Sequence, residues 1–190
     1  SMTDMPAETD VAIIGAGPAG LFAAFQCAML RLRCVLIDVL PEIGGQCAAL
    51  YPEKPIYDIP ACPAVEGAQL IARLDEQIAP FAVPRLLGHK VESLSGQRGQ
   101  FVLVTDKGAS LAAKAVIIAA GAGAFGPNRP PLDGLEAFET SGAVQYYVRR
   151  KDEFENRHNV IAGGVDTALD WALVLKDKAA RDDRGHRRDR

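Results

Sequence analysis

The sequence predicts an α/β fold: a parallel sheet with helices on both faces, a small antiparallel β-meander, and a partial second unit of the same kind. Three observations carry that prediction. An apolar run over 11–14 leads into Gly15, Gly17 and Gly20 and then into a helical run over 21–30. Three short strand-like runs lie between 86 and 113, and a second apolar run over 159–162 meets another glycine-rich turn before a helical run over 167–178.

Residues 11–14 read as a buried strand, and the glycines occupy the turn between it and the helix. Each glycine has its own task. Gly15 permits the tight turn, Gly17 leaves space for phosphates to approach the backbone, and Gly20 lets the helix lie close against the strand. The N-terminus of that helix offers unpaired N–H groups and a partial positive charge to an anion. A second apolar run over 34–37 ends in Asp38, 23 positions after Gly15. That is close to the separation of about 20 expected for a carboxylate that grips a ribose. Taken alone, such an acid is a solvated strand end; strand, glycine turn, helix, strand and acid in this order point to a dinucleotide site.

Residues 41–63 are loop-rich, carrying Gly44, Gly45, Pro52, Pro55, Pro60 and Pro63, and are too interrupted for a long element. Leu70, Ile71, Leu74 and Ile78 give 67–78 a helical period. Residues 86–94, 100–105 and 109–113 are expected to form a small antiparallel sheet, with Asp106, Lys107 and Gly108 as a turn. The almost wholly apolar run 115–120, ending at Gly121, predicts a separate buried parallel strand returning to the main sheet.

Composition bounds the rest. A chain of 190 residues with 48% hydrophobic residues can bury one ordinary core and part of another. A net charge of −3 gives no electrostatic case for nucleic acid or a membrane surface. No apolar run approaches the roughly 20 residues of a membrane span. The N-terminus is acidic and polar rather than a signal peptide, so the expected location is cytoplasmic. Cys27, Cys34, Cys47 and Cys62 contain no C-x-x-C pair, which removes the usual signature of thiol redox or zinc chemistry. Cys27 and Cys34 read as small buried residues, and no metal ligands or catalytic acid–base residues stand out.

Five separated motifs then occur in order: Gly44, Gly45 and Gln46; LYPEKPIYDIP from Leu50; VIIAAGAGAF ending at Phe125; YYVRRKDEF from Tyr146; and AGGVDTALDWAL from Ala162. With the first glycine turn they resemble the thioredoxin-reductase-like ferredoxin–NADP reductases, over nearly the whole chain. The resemblance implies a Rossmann-like FAD-binding domain over 8–124 and a partial Rossmann-like NADPH-binding domain over 125–190. It implies hydride transfer from NADPH to FAD, then electron transfer to ferredoxin or flavodoxin, in a homodimer. It further implies that Gly15, Gly17, Pro18, Ala19 and Gly20 meet the FAD pyrophosphate and that Asp38 holds the adenosine ribose. Gly45 and Gln46 fall by the ribityl or flavin region, Tyr51 packs on the isoalloxazine, the Val91 backbone pairs with adenine, and Phe125 lies beside the flavin.

For NADPH the same resemblance implicates the turn carrying Gly163, Gly164, Asp166 and Thr167, with Arg187 and Arg188 of an HRRD motif selecting the 2′-phosphate. Here the sequence departs from the family. Val165 stands where the second glycine of GxGxxA belongs, and its β-branched side chain would crowd a pyrophosphate. The family leads into HRRD with an apolar strand, whereas this chain has Arg181, Asp182, Asp183, Arg184 and Gly185. Those charges predict a disordered, solvated tail. Relatives also continue beyond this point, so the chain is expected to be an N-terminal portion. Two alternatives therefore stay open: a truncated or degenerate non-catalytic nucleotide-binding or dimerisation module, and an NADPH-dependent disulfide reductase working through Cys47.

Overall fold

The computed structural model of the chain describes residues 6–123, 129–146, 148, 150–163, 166–176 and 181–185, with backbone alone at 166, 167 and 181–185. The chain divides into two compact units, residues 1–147 and 148–190. The boundary expected after residue 124 lies beside 124–128, outside the described residues.

In the first unit, β1 (Glu8–Ile14) runs into α1 (Pro18–Met29) and β2 (Cys34–Asp38). Both strands are rich in β-branched and apolar residues, and β2 is buried along its whole length, as a strand covered on both faces must be. Pro18 opens α1, where its fixed φ suits the first turn and its missing N–H is no loss. Gly20, Leu21, Ala24 and Cys27 form the helix's buried face, and Arg31 turns the chain out at φ 59°. The loop-rich stretch holds only α2 (Gly45–Ala49) and two short antiparallel strands, β3 (Pro55–Ile56) and β4 (Val65–Glu66). Next comes α3 (Gly67–Ile78), with the bounds its period predicts.

The expected strand over 86–94 is instead two elements. β5 (Arg85–Leu87) pairs parallel with β2, and β6 (Val91–Gln97) pairs antiparallel with β7 (Gln100–Thr105). Gly88, at φ 69°, ends the first pairing, a break that an apolar pattern does not register. The expected strands over 109–113 and 115–120 are, in contrast, one: β8 (Ser110–Ile118). Lys114 does not interrupt it because its ammonium reaches Asp10 Oδ1 on β1 at 2.8 Å. β8 runs parallel to β1 and antiparallel to β7, giving a six-stranded sheet in the order β5-β2-β1-β8-β7-β6. The end of β8 is not buried as expected: Ile117 and Ile118 are 37% and 71% exposed, because no described element covers them.

One face of the sheet packs Val11, Ile13, Cys34 and Leu36 against Leu21 and Ala24 of α1 and Ile71 and Ile78 of α3. The other gathers Ala12, Val35, Ile37 and Leu86 with Leu103, Leu111 and Ala113 of the meander. At the sheet's lower edge Asp10 accepts from the Arg33 amide at 2.9 Å and Nε at 3.2 Å. Arg33, and after it Lys114, hold the Asp10 carboxyl well below the usual carboxylate range. A depressed carboxylate stabilises the fold above its unfolded pKa of about 3.9 and loses that contribution as pH falls below it. Asp10→Asn should therefore lower Tm at pH 7, with the gap to the unmutated chain narrowing below about pH 4; a pH-independent gap would overturn this assignment.

The first unit ends with α4 (Leu135–Thr140), and the second contains β9 (His158–Ala162), α5 (Asp166–Leu175) and β10 (Arg181–Gly185). Trp171, Ala172 and Leu175 are buried on α5. β10 corrects the expectation of an irregular tail: it pairs parallel with β9, Arg181 opposite His158 through Gly185 opposite Ala162. A backbone ladder needs no apolar side chains, and β9 itself alternates exposed with half-buried positions, so pairing there does not demand a buried strand.

Candidate functional site: a glycine turn at the carboxyl edge of the sheet

The glycine turn sits where β1 ends, at the carboxyl edge of the parallel strands, the place where open α/β sheets hold their ligands. Gly15 has φ 107°, and a Cβ there would stand 2.2 Å from the Ala119 carbonyl oxygen. Its amide donates to the Ile37 carbonyl at 2.7 Å, tying β1 to β2. At Gly20 a Cβ would stand 1.8 Å from the Gly15 oxygen, so helix and turn touch through backbone alone. Gly17 differs: its φ is −74°, and a Cβ would meet nothing nearer than 3.9 Å, the Cα of Gly45. Two of the three glycines are thus required by the protein's own backbone, while a side chain at Gly17 would make only ordinary contact with Gly44 and Gly45.

The Gly44 and Gly45 loop lies against the turn, since a Cβ on Gly45 would stand 3.2 Å from the Gly17 Cα. Gly44 donates its amide to the Ala16 carbonyl at 2.8 Å, and both glycines have positive φ, 116° and 55°. Gln46, in α2, accepts at its carbonyl from Leu50 at 2.9 Å and Tyr51 at 3.2 Å, which sets where the LYPEK segment begins. Tyr51 is half-buried, with Lys54 Nζ 5.7 Å from its ring centroid. Gly67 holds this loop close, since a Cβ there would stand 2.6 Å from the Tyr51 oxygen.

Asp38 is not a solvated strand end. It is 8% exposed, and its Oδ2 accepts from the Ala16 amide at 2.6 Å while Oδ1 accepts from Leu40 at 2.8 Å. The acid therefore clamps the glycine turn. A carboxylate has about four acceptor positions, so two remain for a ligand. Val91 lies at the start of β6, half-buried, where the β6–β7 register shifts between Val91 and Ser93. His89 and Thr105 form a buried polar pair, Nδ1 to Oγ1 at 3.0 Å, that sequence reasoning missed. A lone histidine and a strand-end threonine carry no periodic signal.

In the second unit, a Cβ on Gly163 would stand 2.8 Å from the Ala168 Cβ, so the turn approaches its helix closely there. Asp166 and Thr167 open α5 by their backbone. Phe125, Gly164, Val165, Arg187 and Arg188 lie outside the described residues.

All four cysteines are free thiols. Burial pushes the Cys47 thiol up, and that of Cys34 up to about 11. Thiolate nucleophiles are thereby disfavoured. Among the described residues no cluster of histidine, cysteine, aspartate or glutamate could hold a metal ion, and no helix is long and apolar enough to cross a membrane. An open depression of about 610 Å³, lined by Thr9, Arg33, Cys34, Phe81 and Val83, lies at the opposite end of β1 from the glycine turn.

Fold and turn together define a Rossmann-like α/β protein. Residues 9–190 match the pyridine nucleotide-disulphide oxidoreductase family, and the chain belongs to it. The ferredoxin–NADP reductase of Gluconobacter oxydans (strain 621H) is 68% identical over 182 residues, 96% of this chain and 54% of that protein. That of Gluconacetobacter diazotrophicus is 68% identical over 190 residues, 100% of this chain and 56% of that protein. The chain thus spans about half the length of the curated relatives it matches. Among solved structures, Lactococcus lactis thioredoxin reductase (FR conformation) superposes with a TM-score of 0.70 at 28% identity, over 96% of this chain and 57% of that one. T. acidophilum thioredoxin reductase gives 0.75 at 20% identity, over 94% and 56%, a likeness of fold. The resemblance expected from the motifs is borne out.

Proposed function

We propose that this chain is the FAD- and NADPH-binding part of a flavoprotein oxidoreductase that passes electrons from NADPH to ferredoxin or flavodoxin. The names of its 68%-identical relatives support the reaction class. One observation of the structure carries the cofactor reading: the Asp38 carboxylate, with two acceptor positions left, is bonded to the Ala16 amide of a glycine turn at the carboxyl edge of the parallel strands. A dinucleotide's ribose and pyrophosphate fit that donor and acceptor set.

In this reading Gly15, Gly17, Pro18, Ala19 and Gly20 hold the pyrophosphate, and Asp38 accepts from the ribose hydroxyls. Gly45, Gln46 and Tyr51 flank the ribityl and flavin, and Phe125 lies beside them. The Val91 backbone reads adenine. Gly163, Gly164, Asp166 and Thr167, with Arg187 and Arg188, take NADPH, and two chains associate as a homodimer. Bound flavin supplies hydride acceptance and one-electron release. The chain's own residues bind and orient: the α1 amides offset phosphate charge, and the Tyr51 face excludes water from a flat ring. Raised thiol pKa at Cys47 speaks against disulfide chemistry through that residue.

The test is the visible absorption spectrum of the purified chain, with a denatured aliquot to quantify released flavin. A flavin spectrum close to one equivalent per chain, or saturable uptake of added FAD, is expected. A colourless chain that takes up none would overturn the cofactor reading.

A further inference from the structure

His89 is 6% exposed and Thr105 4%, and the proposed reaction uses neither. His89 follows β5 at the carboxyl edge of the sheet, and its amide donates to the Asp38 carbonyl at 2.9 Å. It therefore stands directly beside the acid proposed to hold the ribose, and two residues before Val91. Its Nδ1 lies 3.0 Å from Thr105 Oγ1, which also accepts from the Ala109 amide at 3.2 Å.

A hydroxyl carries one proton, and a neutral imidazole has one donor and one acceptor nitrogen. Because the Ala109 amide already donates to Oγ1, the arrangement that pairs both the Thr105 hydroxyl proton and the Nδ1 lone pair has the hydroxyl donate to Nδ1. The ring proton then sits on Nε2. The opposite tautomer would leave the Thr105 proton and the Nε2 lone pair both buried and unpaired among the described residues. Thr105 thus fixes His89 as an Nε2–H donor, and no described residue accepts from it. Buried donors are almost always paired, so a buried N–H without a partner at the ligand-bearing edge of the sheet calls for an acceptor supplied from outside the chain.

We propose that His89 is a recognition residue for the adenosine end of the dinucleotide, donating from Nε2 to a ring nitrogen of adenine or a ribose oxygen, with Thr105 as the positioning residue that sets its tautomer. This rests on the dinucleotide reading above and adds to it a contact for which Asp38 and Val91 do not account.

The test is calorimetric titration of ADP into the 190-residue chain, freed of any bound flavin, and into its His89→Phe variant, which keeps a ring but loses the donor. One lost neutral hydrogen bond should weaken ADP about tenfold. The companion measurement is ¹⁵N NMR of the unmutated chain. Nε2 should carry the proton without ligand, and its resonance should move when ADP is added. This second readout decides the matter if the variant fails to fold. If the unmutated chain does not bind ADP, the dinucleotide reading and this inference fall together. If it binds ADP while His89→Phe binds within twofold of it, His89 only fills the core, and this inference alone is overturned. Weaker binding with a stationary Nε2 resonance assigns the effect to packing and overturns it as well.

Discussion

Gly15→Ala and Gly20→Ala should each lower stability by about 3 kcal/mol or more, a fall in Tm on the order of 10 °C for a chain of this size. At Gly15 the added methyl would overlap the Ala119 carbonyl, and φ 107° is a conformation that L side chains rarely adopt. At Gly20 it would overlap the Gly15 carbonyl at 1.8 Å. Neither obstacle is the movable end of a side chain; both are backbone atoms fixed by the β1–β2 and β1–β8 ladders. Gly17→Ala is the control that separates folding from binding. Nothing stands closer than 3.9 Å to its methyl and its φ is ordinary, so Tm should stay within about 0.5 kcal/mol-equivalent of the unmutated chain. On the dinucleotide reading, FAD affinity should nonetheless fall by more than about tenfold, because a methyl on this turn would crowd a bound pyrophosphate. Thermal melts and flavin titration check all three; a Gly17→Ala chain as unstable as the other two would remove the distinction.

Asp38→Asn should destabilise the chain by about 2 kcal/mol while keeping its shape. Both carboxylate oxygens accept from backbone amides, Oδ2 from Ala16 at 2.6 Å and Oδ1 from Leu40 at 2.8 Å. An asparagine offers one acceptor and one donor, so its NH₂ must face an N–H whichever way it flips. Asp38→Ala removes both acceptors and leaves two amides unpaired, at about 1–3 kcal/mol each where they are buried. The order unmutated, Asn, Ala in chemical denaturation is the expected result. Equal stability of all three would mean that Asp38 serves a ligand alone, not the turn. Acid and glycine turn are thus one device: the bond that shapes the loop also fixes the carboxylate in place.

Much of this was legible in the residues. The spacing of Gly15, Gly17, Gly20 and Asp38 placed a turn, a helix start and an acid at one edge of a sheet, because each step there is a local backbone requirement that only certain residues meet. The period of Leu70, Ile71, Leu74 and Ile78 placed α3 for the same reason. His89 and Thr105 were not legible, since a buried polar pair joins residues 16 positions apart and neither alone departs from the ordinary. Nor was the second role of Asp38, which needs the Ala16 amide brought to it from 22 positions away.

The sequence by itself determined the opening order of strand, glycine turn, helix, strand and acid, the helix over 67–78, and the family. Tertiary structure decided where strands begin and end and which side chains are satisfied. Lys114 reads as a break in an apolar run until Asp10 is beside it, whereupon β8 continues through as one strand. Arg181 to Gly185 reads as a solvated tail until β9 offers a ladder. In each case the strand is settled by a neighbouring strand distant in sequence, and folding alone brings that neighbour alongside.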